Sequence, residues 1–248
     1  MTLPSARLSG GPHAAVWVLP SRFDAVLFDL DGVLTDTARL HHAAWREMFF
    51  ELAPAAAPLS DEEYRDHIDG RPREEGLRAF LHARGIGVAD DVLRDLAARK
   101  DACFRALLDE QGPDVIASSA DLLRHVRGAG MHTAVVSASR NAALVLDRAG
   151  LTELVDVLVD GLVADERQLS GKPDPACFLE AARRLGCSPR RCVVVEDSTA
   201  GVLAGRAGAF GLVLGLARAG REDGPLLTAG ADAVVADLAS VRVPGDRR

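Results

Sequence analysis

Acidic residues follow two of the most apolar segments of the chain. Asp29 and Asp31 stand at the end of the first segment, and Glu196 and Asp197 stand at the end of a later one. Gly32 favours a turn directly after Asp31, and that turn would bring both aspartate carboxylates and a backbone carbonyl to one point. A cluster of oxygen atoms of this kind suits a hard cation such as Mg²⁺, whose octahedron a phosphate can complete. The pattern therefore predicts a magnesium site.

Two further polar residues fall at comparable places. Ser137 ends the second apolar run, and Lys172 lies in a turn-rich segment before the run that ends in Glu196. A cation at that position can neutralise carboxylates and stabilise a transferring phosphoryl group. Taken singly, each has a simpler explanation: a structural loop for the aspartate pair, helix caps for Ser137 and Glu196–Asp197, and a solvated turn for Lys172. The order and spacing of all four together favour an active site.

The segments that position these residues alternate between strand-like and helix-like patterns of apolar residues. Nearly continuous apolar runs predict strands buried on both faces, and these belong in a parallel sheet covered by helices. The alternation predicts an α/β fold with a Rossmann-like, doubly wound parallel sheet. The expected strands are 25–29, 133–137, 155–159 and 192–196, with weaker ones at 211–214 and 232–235, and the expected crossover helices are 119–129, 141–149, 175–185 and 199–207.

One long stretch contains only helical patterns. Residues 38–110 show helical periodicity at 40–52, 73–83 and 90–108, and some seventy residues are too many for a single crossover. We expect an inserted helical cap domain at 38–110, next to the carboxyl ends of the strands, where open α/β sheets bind ligands. The catalytic core is then 23–37 with 111–240. Residues 1–22, rich in proline and glycine, are expected to be a flexible extension, and 241–248 a C-terminal tail.

Composition excludes some classes of partner. The chain has 248 residues, 48% of them hydrophobic and 26% charged, which is typical of a soluble globular protein. Its 29 basic and 36 acidic residues give a net charge of -7, which argues against a general affinity for nucleic acid or anionic membranes. No apolar run has the length of a membrane span. The four cysteines form no C-x-x-C pair, which favours reduced thiols. We expect a cytoplasmic monomer.

On these motifs the chain resembles the haloacid dehalogenase superfamily and, within it, the β-phosphoglucomutase-like family. The resemblance covers about residues 23–237. It includes Thr35-Asp36-Thr37-Ala38 followed by His41 and Trp45, and it includes the segment from Ser137 to Asn141. It implies a Rossmann-like core with a four-helix cap.

The resemblance also implies roles for individual residues. Asp29 corresponds to a nucleophile that becomes an aspartyl phosphate, and Asp31 to a general acid and base. Ser137 and Lys172 are implied to hold the transferring phosphate, and Arg73, with Ser139 and Asn141, a second phosphate. The full set implied is catalytic Asp29, Asp31, Thr37, His41, Ser137 and Lys172; substrate-binding Trp45, Gly70, Arg73, Glu74, Lys100, Ser137, Ala138, Ser139, Arg140 and Asn141; and Mg²⁺-binding Asp29, Asp31 (through its backbone carbonyl), Glu196 and Asp197.

The reaction implied is the interconversion of β-D-glucose 1-phosphate and glucose 6-phosphate through an aspartyl phosphate and a sugar bisphosphate. Asp69 and Arg140 stand where the well-known mutases have lysine, and Arg71-Pro72 replaces a smaller pair, so the identity of the sugar stays open. A Mg²⁺-dependent sugar-phosphate phosphatase is the alternative. A non-catalytic phosphosugar-binding module is disfavoured because every catalytic motif position is filled.

Overall fold

A computed structural model of the chain describes residues 16–52, 57–68, 71, 73–218 and 222–245. Six of the strands in the described residues form one parallel sheet, and the remaining two form a separate parallel pair. The strands are β1 (Trp17–Val18), β2 (Ala25–Phe28), β3 (His132–Val136), β4 (Val157–Val159), β5 (Cys192–Glu196), β6 (Leu212–Leu216), β7 (Ala233–Val235) and β8 (Val241–Arg242).

The helices follow the predicted alternation. They are α1 (Ala38–Leu52), α2 (Asp61–His67), α3 (Arg73–Ala83), α4 (Asp90–Gln111), α5 (Ala117–Gly128), α6 (Ala142–Arg148), α7 (Gly161–Arg167), α8 (Ala176–Arg184), α9 (Thr199–Ala207) and α10 (Gly224–Thr228). In the described part of the chain, none of them is both long enough and apolar enough to span a membrane.

The strand order of the large sheet is β4-β3-β2-β5-β6-β7, with every neighbouring pair parallel. This is the order of a Rossmann-type sheet, so the predicted α/β doubly wound fold is confirmed. The chain builds outward from β2 on one side and then returns to build outward from β5 on the other. Every residue of β2 and β5 is buried, as their apolar, β-branched composition requires. The point at which the strand order reverses therefore lies at the carboxyl ends of these two strands.

Residues 36–114 form a compact unit of their own, built from α1 to α4. Its limits differ by two and four residues from the expected 38–110. The Asp36 N–H donates to the Asp114 carbonyl at 2.7 Å, and Thr35 forms a bridge with Val115, so backbone pairing sets the limits here. Its helices enclose an apolar core that includes Trp45, Met48, Phe49, Leu59, Tyr64, Ile68, Leu77, Phe80, Leu81, Leu93, Leu96 and Ala97.

Part of the expected N-terminal extension pairs with the expected C-terminal tail in the residues that the structure describes. Strand β1 pairs with β8, and the Leu19 N–H donates to the Arg242 carbonyl at 2.9 Å. Leu19, Val241 and Val243 are buried. Apolar side chains from the two ends of the chain thus bury one another, which no local pattern reveals. Residues 1–15 and 246–248 lie outside the described part of the chain.

Candidate active site

The aspartate loop begins where β2 ends. The Asp29 N–H donates to the Val195 carbonyl of β5 at 3.0 Å, so Asp29 lies at the reversal point of the sheet. Gly32 turns the chain with a φ of 92°. A Cβ at Gly32 would lie 2.8 Å from Cγ of Asp197 and closer still to its Oδ2. Only glycine therefore allows the loop to approach the Asp197 carboxylate this closely.

Lys172 connects the strand ends. Its Nζ donates to Oδ1 of Asp29, to Oε1 of Glu196 at 2.5 Å and, at 3.4 Å, to the Val136 carbonyl of β3. The Phe178 ring lies beneath it, with its centroid 5.1 Å from Nζ. The side chains of Lys172, Asp29 and Glu196 are all less than a tenth exposed. The ammonium group therefore lies between two buried carboxylates at the carboxyl ends of β2 and β5.

Both carboxylate oxygens of Glu196 accept hydrogen bonds, Oε1 from Lys172 and Oε2 from Ser198. Its Oε2 accepts hydrogen bonds from the Ser198 N–H and from the Ser198 hydroxyl, each at 2.9 Å. The Ser198 hydroxyl also accepts from the Gly201 N–H at 3.0 Å, which caps helix α9. An alanine Cβ at Gly201 would come within 3.0 Å of the Glu196 carboxylate. The start of α9 therefore leaves room for the Glu196 carboxylate, because residue 201 has no side chain.

The pKa values reflect the crowding of charge. Burial raises the pKa of Asp29 well above its ordinary value, and the carboxylates of Glu196, Asp197 and Asp31 raise it further, while Lys172 opposes them. Burial acts to lower the pKa of Lys172, but Asp29 and Glu196 together raise it above its ordinary value. The lysine is therefore cationic. Because three further carboxyl groups raise the pKa of Asp29 and only one ammonium opposes them, the site favours additional positive charge.

Ser137 brings the end of β3 into the same site. Its hydroxyl donates to Oδ2 of Asp31 at 3.2 Å and accepts from the Ser139 N–H at 3.0 Å. The Asn141 N–H in turn donates to the Ser139 hydroxyl at 3.2 Å. Arg140, by contrast, is exposed and pairs with Asp165 on the surface. The segment that follows β3 therefore brings the Ser137 hydroxyl to Asp31, while the Arg140 cation pairs with Asp165.

The donor set fits Mg²⁺ by its chemistry. Within the residues that the structure describes, no three His, Cys, Asp or Glu side chains converge as a ready-made metal cluster. Mg²⁺ does not need such a cluster, because it retains several waters and is commonly held by one or two carboxylates together with substrate phosphate. Asp29 and Asp31 on the loop, Glu196 at the end of β5 and Asp197 directly after it carry oxygen atoms that could hold such a cation.

The helical unit carries a second polar cluster. Nζ of Lys100 lies 2.6 Å from Nδ1 of His41, and the His41 ring stacks on Phe104 with centroids 4.0 Å apart. Burial, then Lys100, then Arg73 lower the pKa of His41 well below its ordinary value. His41 is therefore neutral. Because Nδ1 accepts the hydrogen bond from the Lys100 ammonium, the ring proton lies on Nε2.

The remaining predicted residues of this unit fall into different environments. Trp45 lies in the apolar core, with Lys100 5.3 Å from its ring centroid. Thr37 is buried, and its carbonyl accepts the His41 N–H at 2.8 Å. Arg73, at the start of α3, donates to Asp101 at 2.6 Å. Glu74 is exposed, Ala138 is half-buried, and Gly70 lies outside the described residues.

The sequence prediction missed four residues of these two clusters. Ser198 and Gly201 follow Glu196 with the spacing of a helix cap, a signal that was available in the sequence. Phe178 and Asp101 gave no such signal: Phe178 lies in an ordinary apolar position of α8, and Asp101 contacts Arg73 across 28 residues.

Comparisons with known proteins show what the whole chain is similar to. A family model described as haloacid dehalogenase-like hydrolase matches residues 23–208. A β-phosphoglucomutase from Mycobacterium tuberculosis is 40% identical over 243 residues, covering 90% of this chain and 93% of the relative. A phosphorylated carbohydrates phosphatase from Thermotoga maritima is 32% identical over 218 residues, covering 86% and 94%. A crystal structure of β-phosphoglucomutase from Clostridium difficile superposes with a TM-score of 0.77 at 26% identity, covering 88% and 92%.

Proposed function

The chain belongs to the haloacid dehalogenase-like hydrolase family, and we propose that it is a phosphomutase that interconverts β-D-glucose 1-phosphate and glucose 6-phosphate. The observation that carries this proposal is the buried Lys172 between Asp29 and Glu196, at the point where the strand order reverses. The 40% identity to a β-phosphoglucomutase over 90% of the chain favours the isomerase reaction.

We assign the nucleophile to Asp29. Its carboxylate attacks the phosphorus of the sugar phosphate, the bond from phosphorus to the sugar oxygen breaks, and an aspartyl phosphate forms. Asp31 donates a proton to the departing sugar oxygen and later removes one from the incoming hydroxyl. Its hydrogen bond with Ser137 holds the carboxyl group in place. Since burial and neighbouring carboxylates raise the pKa of Asp29, nearby cations are needed to keep the nucleophile ionised.

Two sources of positive charge serve that purpose. Lys172 already contacts Asp29, and its ammonium would also meet an oxygen of the transferring phosphate, as would the Ser137 hydroxyl. A bound Mg²⁺, held by Asp29, the Asp31 carbonyl, Glu196 and Asp197, would neutralise charge on the phosphoryl oxygens. Ser198 and Gly201 act through Glu196 and fix its direction.

In the cap we assign Arg73 to the phosphate that is not being transferred. A guanidinium group can form two parallel hydrogen bonds with phosphate oxygens, which suits an end of the substrate that must be gripped and later released. We assign Lys100 to hold neutral His41 through Nδ1, with the ring proton on Nε2. Trp45, buried beside Lys100, is then a positioning residue. In the core, Ser139 and Asn141 offer further donors for a phosphate.

The alternative is a sugar-phosphate phosphatase. The 32% identity to the Thermotoga phosphatase favours it, because the same aspartyl phosphate can be attacked by water in place of a sugar hydroxyl. The two reactions differ only in the group that accepts the phosphoryl group from Asp29.

One assay separates the two functions. The protein is incubated with β-glucose 1-phosphate, Mg²⁺ and a trace of glucose 1,6-bisphosphate, and both glucose 6-phosphate and free phosphate are measured. Glucose 6-phosphate in large excess over free phosphate supports the mutase. Free phosphate as the main product supports the phosphatase, and neither product refutes both. The Asp29→Asn variant, and wild type with a chelator, are the controls that should give no product.

A further inference from the structure

Arg73 and Asp101 form an ion pair within the cap. Nη2 of Arg73 donates to Oδ1 of Asp101 at 2.6 Å, and the two side chains are only 19% and 26% exposed. Nη1 lies 3.5 Å from the Ala97 carbonyl, one helical turn earlier on α4. The guanidinium group thus lies along α4, with one of its donors committed to a carboxylate.

Asp101 has a second cationic neighbour. Its Oδ2 lies 3.8 Å from Nε of Arg105, one turn later on the same helix, and the Arg105 side chain is 58% exposed. Lys100 precedes Asp101, and both Lys100 and Arg73 lower the pKa of His41, so these two cations face the same imidazole. Asp101 is therefore a carboxylate that lies next to at least two cations of the cap, Arg73 and Arg105.

An incoming phosphate would compete with that carboxylate. Two anions that approach one guanidinium repel each other, and the Arg73–Asp101 bond is charge-assisted and partly shielded from water. Arg105 provides Asp101 with a partner when Arg73 turns to a phosphate, so the carboxylate is not left uncompensated.

We propose that Asp101 is an affinity-setting residue, which weakens the binding of the non-transferring phosphate to Arg73 by competing for its guanidinium group. The proposal rests on the assignment of Arg73 in the proposed function. It has a physical rationale in the mutase reaction, where the bisphosphate must leave its first orientation before its other end can react. Binding every state of the substrate more tightly by the same amount would not accelerate the chemical step. It would slow the reorientation of the bisphosphate.

Asp101→Asn tests the proposal by equilibrium binding. The variant is made in the Asp29→Asn background, which cannot accept a phosphoryl group, and glucose 1,6-bisphosphate is titrated by calorimetry in the presence of Mg²⁺. We expect Kd to fall by about 3- to 10-fold, the value of one charge-assisted bond discounted for partial exposure. Asp95→Asn is the matched control, because it removes the same charge from an exposed position on α4 and should change Kd by less than about 2-fold.

Two further variants identify the cause. Asp101→Glu keeps the charge, so this variant should bind glucose 1,6-bisphosphate with the same Kd as the Asp29→Asn protein. In an Arg73→Ala background, Asp101→Asn should no longer tighten binding, because the guanidinium for which it competes is gone. This coupling would not arise if Asp101 only supported the fold. If Asp101→Asn does not fold, as judged by circular dichroism, Asp101→Ser takes its place with the same expectation.

Unchanged or weaker binding in Asp101→Asn overturns the proposal, and so does equal tightening in Asp95→Asn. Failure of the proposed function is seen separately, in a wild-type protein that makes no glucose 6-phosphate. Tighter binding by Asp101→Asn alongside such a failure would still support the competition and would reject only the mutase assignment.

Discussion

Replacing Gly201 by alanine should inactivate the enzyme while leaving most of the fold intact. In a helix interior, glycine to alanine ordinarily stabilises by about 1 kcal/mol. Here the new Cβ would lie 2.5 Å from Oε2 of Glu196 and closer still to Oε1 and Cδ. The nearest carboxylate atom, Oε1, would lie 1.8 Å away, so the carboxylate must move by about 1.6 Å to reach an ordinary contact of 3.4 Å. Glu196 cannot do so while keeping its bonds to Lys172 and Ser198.

The loss of activity follows from that displacement. A shift of about 1 Å in a group that positions the reacting atoms costs on the order of 10²-fold in turnover. The gain in helix propensity and the cost of overpacking, about 1–3 kcal/mol, oppose each other, so the free energy of unfolding should change by less than about 2 kcal/mol. Steady-state turnover of β-glucose 1-phosphate and urea denaturation measure the two quantities separately.

Two other helical glycines serve as controls. Gly205, also on α9, would place a Cβ 2.9 Å from Cγ2 of Val213, so Gly205→Ala should destabilise the core without a comparable loss of specific activity. Gly128→Ala meets nothing within 4 Å and should leave both properties unchanged or slightly improved. A Gly201→Ala protein with more than about a tenth of wild-type turnover would refute the view that this glycine makes room for a functional Glu196.

Three shorter predictions concern other residues. Asp31→Asn should keep Mg²⁺ affinity, because its metal contact is assigned to the backbone carbonyl, yet slow turnover by about 10²- to 10⁴-fold; a collapse in Mg²⁺ affinity by calorimetry would contradict that assignment. The hydrogen bonds from Arg84 lower the pKa of Glu63 to about 2, so their stabilisation is complete above about pH 4.5 and is lost as the pH falls toward 2. Urea denaturation at pH 6 and pH 3 should show that wild type loses about 1 kcal/mol more than Glu63→Gln, and equal losses would count against the ion pair. Lys100→Met should raise the pKa of His41 in an NMR titration, because one of the cations that lower it is removed, and an unchanged pKa would mean that burial and Arg73 set it without Lys100.

Local sequence was sufficient for the motifs and for the alternation of elements. The strand Cys192–Glu196 has the limits that its apolar run predicted, and the other five predicted strands match to within two residues at each end, whereas β1 and β8 were not predicted. Strand β4 starts at Val157, two residues later than expected, because residues 152–154 form a short 3-10 turn. Periodicity and side-chain type determine such features, since they depend on neighbours along the chain.

The sequence by itself determined which chemical groups are present: two aspartates, a serine and an acidic pair at strand ends, and a lysine in a turn-rich segment. Only the tertiary structure decided how they pair. Lys172 contacts Asp29 across 143 residues and Glu196 across 24, and the Arg73–Asp101 pair joins residues 28 apart. The pairing of β1 with β8 was decided in the same way, since these strands lie in the predicted N-terminal extension and C-terminal tail. Contacts of this kind depend on which buried faces meet, because the free energy of burial is non-directional and leaves no periodic trace in the chain.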